Sequence, residues 1–461
     1  MSVTSPVDTP ATPAVGAVPH APDRLRVVQV TLPPPTSLPR RILKHPRLMH
    51  HHRLVALVLT ANLALLGHAL THGRWWSTDH TNLEAISSAV LANFALAILI
   101  RQQYVINLLF WLATRAPTRW PLRIRWALAK VYHFGGLHVG GALAGTLWFL
   151  FFVASATTAA HRGEPVPVNL LVVSYLLLAL LGVIVTTARP AYRARHHDRF
   201  ERVHRFGGWT ALALFWTQTV LYLRADHDRS LLTAPQIWVL ALLTVSVALP
   251  WLRLRRVPVE IIRPSSHVAL ARFDHGATPF PGSSTAISRR PLWEWHSFAN
   301  VPTPGETGFR LTISRAGDWT GSFIDDAPSH VWVKGITTAG VANIETLFTK
   351  VVYVATGSGI GPVLPHLLAR KVPSRLVWAT RSPRVTYGEA LIDEILADQP
   401  DAIVWDTAEH GKPDMIQLAY EAYEAFRAEA VICISNKKLT WQVVHGLERR
   451  GIPAYGAIWD S

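Results

Sequence analysis

Six apolar stretches, at roughly 53–72, 83–100, 133–159, 168–188, 204–223 and 234–252, constrain the first half of this chain more than any other feature. Each is close to the ~20 residues of helix that cross a bilayer. Residues 101–116 are also fairly apolar and either extend the second helix or lie at the interface. The loops between them alternate in charge. Arg40, Arg41, Lys44, Arg47 and Arg53 precede the first stretch, and the second loop holds Arg101, Arg115, Arg119, Arg123, Arg125 and Lys130. The fourth loop holds Arg189, Arg193, Arg195, Arg199, Arg202 and Arg205, and Arg253, Arg255 and Arg256 close the last stretch. The alternate loops carry only Arg74, Arg162, Arg224 and Arg229. Basic loops stay inside, so this asymmetry predicts an integral membrane protein of the inner or plasma membrane with both termini in the cytoplasm.

Composition agrees. Of 461 residues 49% are apolar and 16% charged, with 18 tryptophans and a net charge of +15. Most of that charge flanks the apolar stretches, so it reads as a topology signal and membrane lipid, not nucleic acid, is the expected partner. A single cysteine, Cys433, excludes an intramolecular disulfide and suits a reducing compartment. Residues 1–45, rich in proline, predict a disordered cytoplasmic tail, and 46–256 a bundle of six transmembrane helices.

Two of these helices begin alike: Tyr132-His133-Phe134-Gly135-Gly136 and His204-Arg205-Phe206-Gly207-Gly208. Both run from inside to outside, so His133 and His204 are expected at similar depth. Either they ligate a haem iron, with the glycines admitting a flat macrocycle, or they cap helix ends at the interface.

Past Pro258 the pattern changes to short alternating strands broken by proline and glycine, which predicts an antiparallel β-barrel over 257–349. Strands and helices then alternate over 350–461, which predicts a parallel sheet with ligands at its carboxyl edge. The stretch Val351 to Pro362 runs an apolar strand into Gly357, Gly359 and Gly361. Glycines let the backbone approach a diphosphate whose charge meets free amides at the helix start, so Thr356, Gly357, Ser358, Gly359, Ile360, Gly361 and Pro362 form a candidate dinucleotide cradle. About 20 residues on, where an acid marks a free ribose and an arginine a 2′-phosphate, stand Arg381 and Arg384. That favours NADPH, with NADH as the other nicotinamide nucleotide.

In order along the chain, these motifs resemble the ferric reductase and NADPH oxidase superfamily. Trp293-Glu-Trp-His-Ser-Phe298 is similar to its flavin segment, usually His-Pro-Phe-Thr, and Arg310 to Thr320 to the strand and turn that follow. Gly357 to Pro365 resembles its nicotinamide loop, Val431-Ile-Cys433 its strand beside the nicotinamide, and His204-Arg-Phe-Gly-Gly its haem-bearing helix. The ending Gly451 to Asp460 looks most like the fungal TmpA-type membrane flavoproteins. The resemblance implies a ferredoxin-reductase-like module, a flavin β-barrel followed by an α/β nucleotide-binding domain, behind the membrane helices. It implies that Trp295, His296, Ser297 and Phe298 line FAD, that Gly335, Thr337, Thr338 and Gly340 donate to its diphosphate, and that Cys433 approaches the nicotinamide. Trp459 either covers the flavin or only packs.

The departures narrow the expectation. Leu147 and Gln218 stand where that family has its second haem histidines, ~20 Å deeper at 1.5 Å per residue, so at most one haem b is expected. Ser297 and Ala299 replace a proline and a hydroxyl residue, and Gly335 to Gly340 replaces a Gly-Pro-type loop. The expected activity is flavin-dependent electron transfer from NADPH to a small molecule, quinone or protein at the cytoplasmic face. The alternatives are a redox-signalling membrane flavoprotein with little turnover, and a trans-membrane ferric reductase.

Overall fold

In the computed structural model the described residues are 30–73, 75, 76, 81–225 and 230–457. Arg74, Arg229 and Trp459 lie outside them, as do residues 1–29 of the expected tail. Ten helices open the described chain: α1 (Leu38–Leu43), α2 (His50–Thr71), α3 (Leu83–Leu99), α4 (Gln103–Thr114), α5 (Leu122–Leu128), α6 (Gly135–His161), α7 (Val168–Thr187), α8 (Pro190–Arg195), α9 (His197–Arg224) and α10 (Pro235–Leu252). Local chemistry marks their starts. The Asn82 side chain accepts the Ala85 amide at 2.9 Å, the Gln102 side chain accepts the Tyr104 amide at 2.5 Å, and α8 and α10 open on proline.

Four described segments are long and apolar enough to cross a membrane: α2, the run Leu122–His161, α7 and α10; the pair α3 and α4, bent by 73°, adds a fifth only if counted as one span. The fifth expected stretch falls in α9, which is 28 residues long but interrupts its apolar run with Gly207, Gly208, Thr210, Thr217, Gln218 and Thr219. Packing inside the bundle is partly polar. Asn62 and Asn93 exchange amide hydrogen bonds at 3.0 and 2.7 Å, and the Trp148 indole donates to Asn62 at 2.8 Å, which joins α2, α3 and α6.

Eight strands and two further elements of helix follow in an antiparallel part: β1 (Leu254–Pro258), β2 (Glu260–Ile262), β3 (Val268–Phe273), β4 (Ser283–Ser288), β5 (His296–Ala299), β6 (Phe309–Ser314), α11 (Asp318–Asp326), β7 (His330–Lys334), β8 (Thr338–Ala339) and a 3-10 turn over Val341–Leu347; β9 (Val351–Thr356) then begins the next sheet. One sheet has the order β1-β7-β4-β5 with β8 on β4, and the other β2-β3-β6. Their inner faces meet through Val257, Ile287, Val331 and Val333 on one side and Ala271, Leu311 and Ile313 on the other.

The last part winds α12 (Ile360–Ala369), β10 (Ser374–Thr380), α13 (Pro383–Tyr387), α14 (Glu389–Asp398), β11 (Ile403–Asp406), α15 (Met415–Phe426), β12 (Ala430–Ile434), α16 (Lys437–Glu448) and β13 (Ala454–Tyr455) about a parallel sheet of order β11-β10-β9-β12-β13. The chain leaves the central strand β9 first toward β10 and later toward β12. That reversal opens a crevice at the carboxyl ends of β9 and β12, where open α/β sheets bind ligands.

Two contacts fasten the helical part to this sheet. Arg125, 4% exposed, donates through both guanidinium nitrogens to Glu429 at 2.7 and 2.9 Å and to the Leu347 carbonyl at 2.8 Å. Lys130 meets Glu448 at 2.6 Å and the Ala454 carbonyl at 3.0 Å. The N-terminal segment adds a strap and corrects the expectation of disorder for residues 30–45. The Thr36 amide and hydroxyl both donate to the Arg449 carbonyl at 2.9 and 3.1 Å, and the Gln417 side chain donates to the Val30 carbonyl at 2.8 Å. Val30 and Leu32 pack on the core beside α15, so apolar residues scattered among prolines suffice to hold this irregular segment.

Replacing Arg125 with methionine leaves the Glu429 carboxylate in a half-buried site without its partner. Removing one member of a buried pair costs about 3 kcal/mol, so Arg125→Met is expected to lower the thermal midpoint and to speed tryptic cleavage near residue 430. An unchanged midpoint and cleavage pattern would show that the docking does not rest on this pair.

Candidate functional site

The glycine turn forms as its sequence suggests. β9 delivers Thr356 to a 3-10 turn over Gly357–Gly359, and α12 starts at Ile360. Gly357 has φ +48°, and a Cβ on Gly359 would lie 2.0 Å from the Ile434 carbonyl oxygen, so this turn can press against β12 only as glycine. The Trp378 indole donates to the Gly357 carbonyl at 3.0 Å and fixes the turn from β10. Gly361 and Pro362 complete the first turn of α12, where the missing proline amide costs nothing. Ser358 is exposed and Ile360 is buried. The seven residues thus form a glycine cradle at a helix start, and beside Gly357, where a Cβ would meet only the Tyr387 hydroxyl at 3.9 Å, the backbone is open enough to approach a dinucleotide diphosphate.

One pair in this crevice escaped the sequence reading. The Thr356 and Ser435 hydroxyls hydrogen-bond across the ends of β9 and β12, and Ser435 is held in turn by Thr440, whose hydroxyl accepts its amide at 3.1 Å and donates to its carbonyl at 3.0 Å. The signal was a hydroxyl residue just past the strand and before Asn436, which caps α16 by accepting the Leu439 amide at 3.0 Å.

Cys433 is elsewhere. It is 0% exposed and packs among Val354, Val431, Val443 and Val444 beneath the sheet, so its thiol does not approach the crevice as expected. Burial pushes that thiol up to about 12.

Beyond β10, Arg381 and Arg384 part company. Ser382 takes a left-handed φ of +41°, and Asp406 at the end of β11 holds this turn by accepting the Ser382 amide at 2.9 Å and the Ala408 amide at 2.7 Å. The Arg384 guanidinium pairs with Glu389 and, at 2.8 Å, with Asp393. Those two carboxylates compete with any phosphate. Arg381 is exposed and enters no ion pair among the described residues, so it is the open cation of the two.

The flavin segment is divided by strand alternation. In β5, His296 and Phe298 point to the side of α11: His296 stacks on Trp319 with ring centroids 4.0 Å apart, and Phe298 lies 6.2 Å from the same ring and borders the core of the antiparallel part. Both therefore pack inward, which corrects the expectation that they line a flavin. Trp295 is 8% exposed, donates to the Pro291 carbonyl at 2.7 Å and carries the Lys334 ammonium 4.4 Å above its ring. Burial, with Arg205 nearby, pushes the Lys334 amine down to about 8. Ser297 alone of the four is exposed.

The expected diphosphate loop is also partly spent. The Gly335 amide donates to the Arg253 carbonyl at 3.2 Å and the Gly340 amide to the Gly282 carbonyl at 2.9 Å, so neither is a free donor. The Asn107 side chain of α4 accepts the Ala339 amide and donates to the Thr337 carbonyl, each at 2.9 Å. Among the described residues the Thr337 and Thr338 hydroxyls have no hydrogen-bond acceptor, which leaves them as open donors. Thr338, Ser284 and Ala299 are cross-strand neighbours on β8, β4 and β5, and Ser297 stands two residues along on the same face. α12 packs against β5. This face of small hydroxyls, turned away from the aromatic core and toward the glycine turn, fits a flat polar-edged ring with a phosphate tail.

The two histidines expected to share a haem meet different partners. His133 stacks on His50 with centroids 5.8 Å apart and meets Tyr132 in a tilted contact at 4.3 Å, whereas His204 meets His138 at 6.0 Å and Phe200 at 5.3 Å. His133 lies in a 3-10 turn over Val131–Phe134 that precedes α6, so its side chain does not follow the α-helical rotation that would pair it with His204. Leu147 is 52% exposed and Gln218 is buried. Among the described residues no group of three or more His, Cys, Asp or Glu side chains could hold a metal ion.

Comparison with known proteins gives three findings. Residues 341–461 match the family described as "Adenylate-forming reductase 03009, C-terminal domain". Over 430 residues the chain is 42% identical to adenylate-forming reductase 03009 of Coprinopsis cinerea, covering 91% of this chain and 41% of that protein. It is 41% identical over 429 residues to adenylate-forming reductase 06235 of the same fungus, with the same coverage of 91% and 41%. The chain thus spans about two fifths of the length of the curated relatives it matches. Among solved structures, a ferredoxin NADP+ reductase from Neisseria gonorrhoeae with bound FAD and NADP matches 44% of this chain and 98% of its own at 12% identity, with a TM-score of 0.35. A ferredoxin-NADP+ reductase from Plasmodium falciparum in complex with 2′P-AMP matches 44% and 94% at 11% identity, with a TM-score of 0.33.

Only a thiolate alkylates readily, so the native Cys433 thiol, neutral up to about 12, is expected to resist iodoacetamide at pH 8 and to react fully in denaturant. Rapid labelling of the native protein would place the thiol in the open crevice after all.

Proposed function

We propose that this chain is a membrane-bound flavoprotein oxidoreductase that takes electrons from NADPH and passes them, through FAD, to an acceptor at or near the cytoplasmic face of the membrane. The observation that carries the reading is the juxtaposition of the glycine turn, at the switch point between β9 and β12, with the hydroxyl face of β4, β5 and β8. Bound there, the two cofactors would supply hydride transfer from nicotinamide to isoalloxazine and the onward passage of its two electrons one at a time, with the proton released to solvent.

The residues of the chain bind and orient. Gly357, Ser358 and Gly359 with the α12 start hold the nucleotide diphosphate, and Arg381 recognises the 2′-phosphate. Thr356 and Ser435 present hydroxyls to the nicotinamide carboxamide in the place expected for Cys433. Ser297, Thr337 and Thr338 hold the flavin, with Lys334 as the cation beside it. His133 and His204 take no part in electron transfer in this reading.

The membrane assignment rests on the four apolar helices and on the alternation of basic loops. With α9 and the α3 helix they form the six-helix domain, both termini are cytoplasmic, and the reductase part lies where reduced nicotinamide is found. The ordering of motifs shared with the ferric reductase and NADPH oxidase superfamily supports the same arrangement. The relatives named as adenylate-forming reductases are more than twice as long and contain this stretch as about two fifths of their length, which supports reading it as a reductase unit. The acceptor class is a small molecule, a quinone or a protein.

Selectivity tests the nucleotide half. A charge-assisted phosphate contact is worth roughly 1.5–3 kcal/mol, about ten- to a hundredfold in affinity. Arg381→Ala is expected to weaken NADPH by that factor and NADH little, measured by isothermal titration, while Arg384→Ala changes either by less than threefold because Glu389 and Asp393 already occupy it. Equal losses for both nucleotides, or a larger effect at Arg384, would contradict the assignment.

A further inference from the structure

The two faces of α4 meet different surroundings. Ile106, Phe110 and Ala113 are buried against the core that includes Ile344 and Leu347, and Asn107 on that side grips the 337–339 loop. On the other side Tyr104, Leu108, Trp111 and Leu112 are 46%, 52%, 51% and 54% exposed. Their spacing of four, three and one residues makes one helical stripe. A contiguous exposed stripe of large apolar side chains marks a contact surface.

Three observations choose the partner. First, α4 leaves α3 at 73°, so with α3 among the spanning helices α4 runs close to the plane of the bilayer. Second, large apolar side chains stay exposed beyond α4, at Trp120 (43%) just before α5 and at Ile124 (40%) within it, so the exposed apolar surface is not confined to one helix. Third, Arg115, Arg119 and Arg123 are exposed in the same segment, and the Arg115 guanidinium lies 4.4 Å from the Trp111 ring centre. Apolar and indole side chains bordered by arginines are what a helix needs to lie in the headgroup region of an anionic leaflet.

We infer that α4, with the start of α5, rests in the cytoplasmic headgroup layer on anionic lipid, and that Asn107 thereby ties the 337–339 loop of the flavin face to the membrane surface. This rests on the membrane reading above. The apolar stripe enters the interface to the depth of its side chains, the arginines take lipid phosphates, and the opposite face carries the reductase part.

The test uses the full chain in lipid nanodiscs, with nitroxide labels on single cysteines introduced in a Cys433→Ala background. Leu112→Cys reports α4, Leu176→Cys the middle of α7, and Val385→Cys the surface of the nucleotide part; the native side chains are 54%, 57% and 76% exposed. The expected result is an oxygen-to-nickel-chelate accessibility ratio at residue 112 between those of the other two. The ratio should rise when phosphatidylserine is added to phosphatidylcholine, and Arg115→Gln with Arg119→Gln and Arg123→Gln should abolish that rise. A label at 112 as open to the chelate as that at 385 would overturn the inference, as would one shielded from both reagents, which would mean a second copy covers the stripe. If residue 176 is also open to the chelate, the membrane reading fails with it; a deep 176 beside a water-exposed 112 removes the inference alone.

Discussion

Two buried cations, Arg125 on the short α5 and Lys130 just past its end, set the geometry of everything that follows them. Arg125 and Lys130 have side chains 5% and 4% exposed, and each spends its charge on a carboxylate of the nucleotide-binding part, Glu429 and Glu448. Taking such groups out of water is expensive, and the cost is offset only when the pairing is close and the remaining donors are also satisfied. Here the Leu347 and Ala454 carbonyls take the other donors, and the Trp126 indole donates to Glu448 at 3.1 Å. The pairs reach the start of β12 and the end of α16, so they fix the parallel sheet against the helices and leave its carboxyl edge free.

A second seam is aromatic. Phe206, Trp209, Trp251 and Trp295 run from α9 through α10 to β5 with successive centroids 5.5, 5.0 and 6.1 Å apart, and Lys334 lies over the last two rings at 5.4 and 4.4 Å. Such edge-to-face contacts stabilise by about 0.5–1.5 kcal/mol each beyond the area they bury. With the ionic seam on one side and this one on the other, the antiparallel face bearing Ser297 and Thr338 is held between helices and glycine turn. The Lys334 amine, pushed down to about 8 by burial, is the only charge that the aromatic seam admits among the residues named here.

Backbone features were legible in the sequence because they depend on local chemistry. An apolar strand running into Gly357 and Gly359 can scarcely fold otherwise, and the change from period-two to helical patterning after Lys350 marks the parallel sheet. What failed was side-chain direction. His133 sits in a 3-10 turn that the string of apolar residues does not announce, and so meets His50 in place of His204. His296 and Phe298 share a strand face with the core, and Cys433 falls on the inner side of β12. Arg384 is quenched by acids five and nine residues later, which only the fold of α13 onto α14 brings within reach. The strap from Val30 to Thr36 has no periodicity to read, since it is held by one hydrogen bond to α15 and two to the Arg449 carbonyl.

The central claim is that the glycine turn and the hydroxyl face together hold two redox cofactors in contact. An anaerobic absorption titration of the purified full-length chain with NADPH tests it most directly. The account predicts flavin absorption bands that bleach stoichiometrically as NADPH is added, with no Soret band. A protein that purifies without flavin and takes up none, or one whose flavin is not reduced by NADPH, would contradict it, and a Soret band would contradict the placement of His133 and His204.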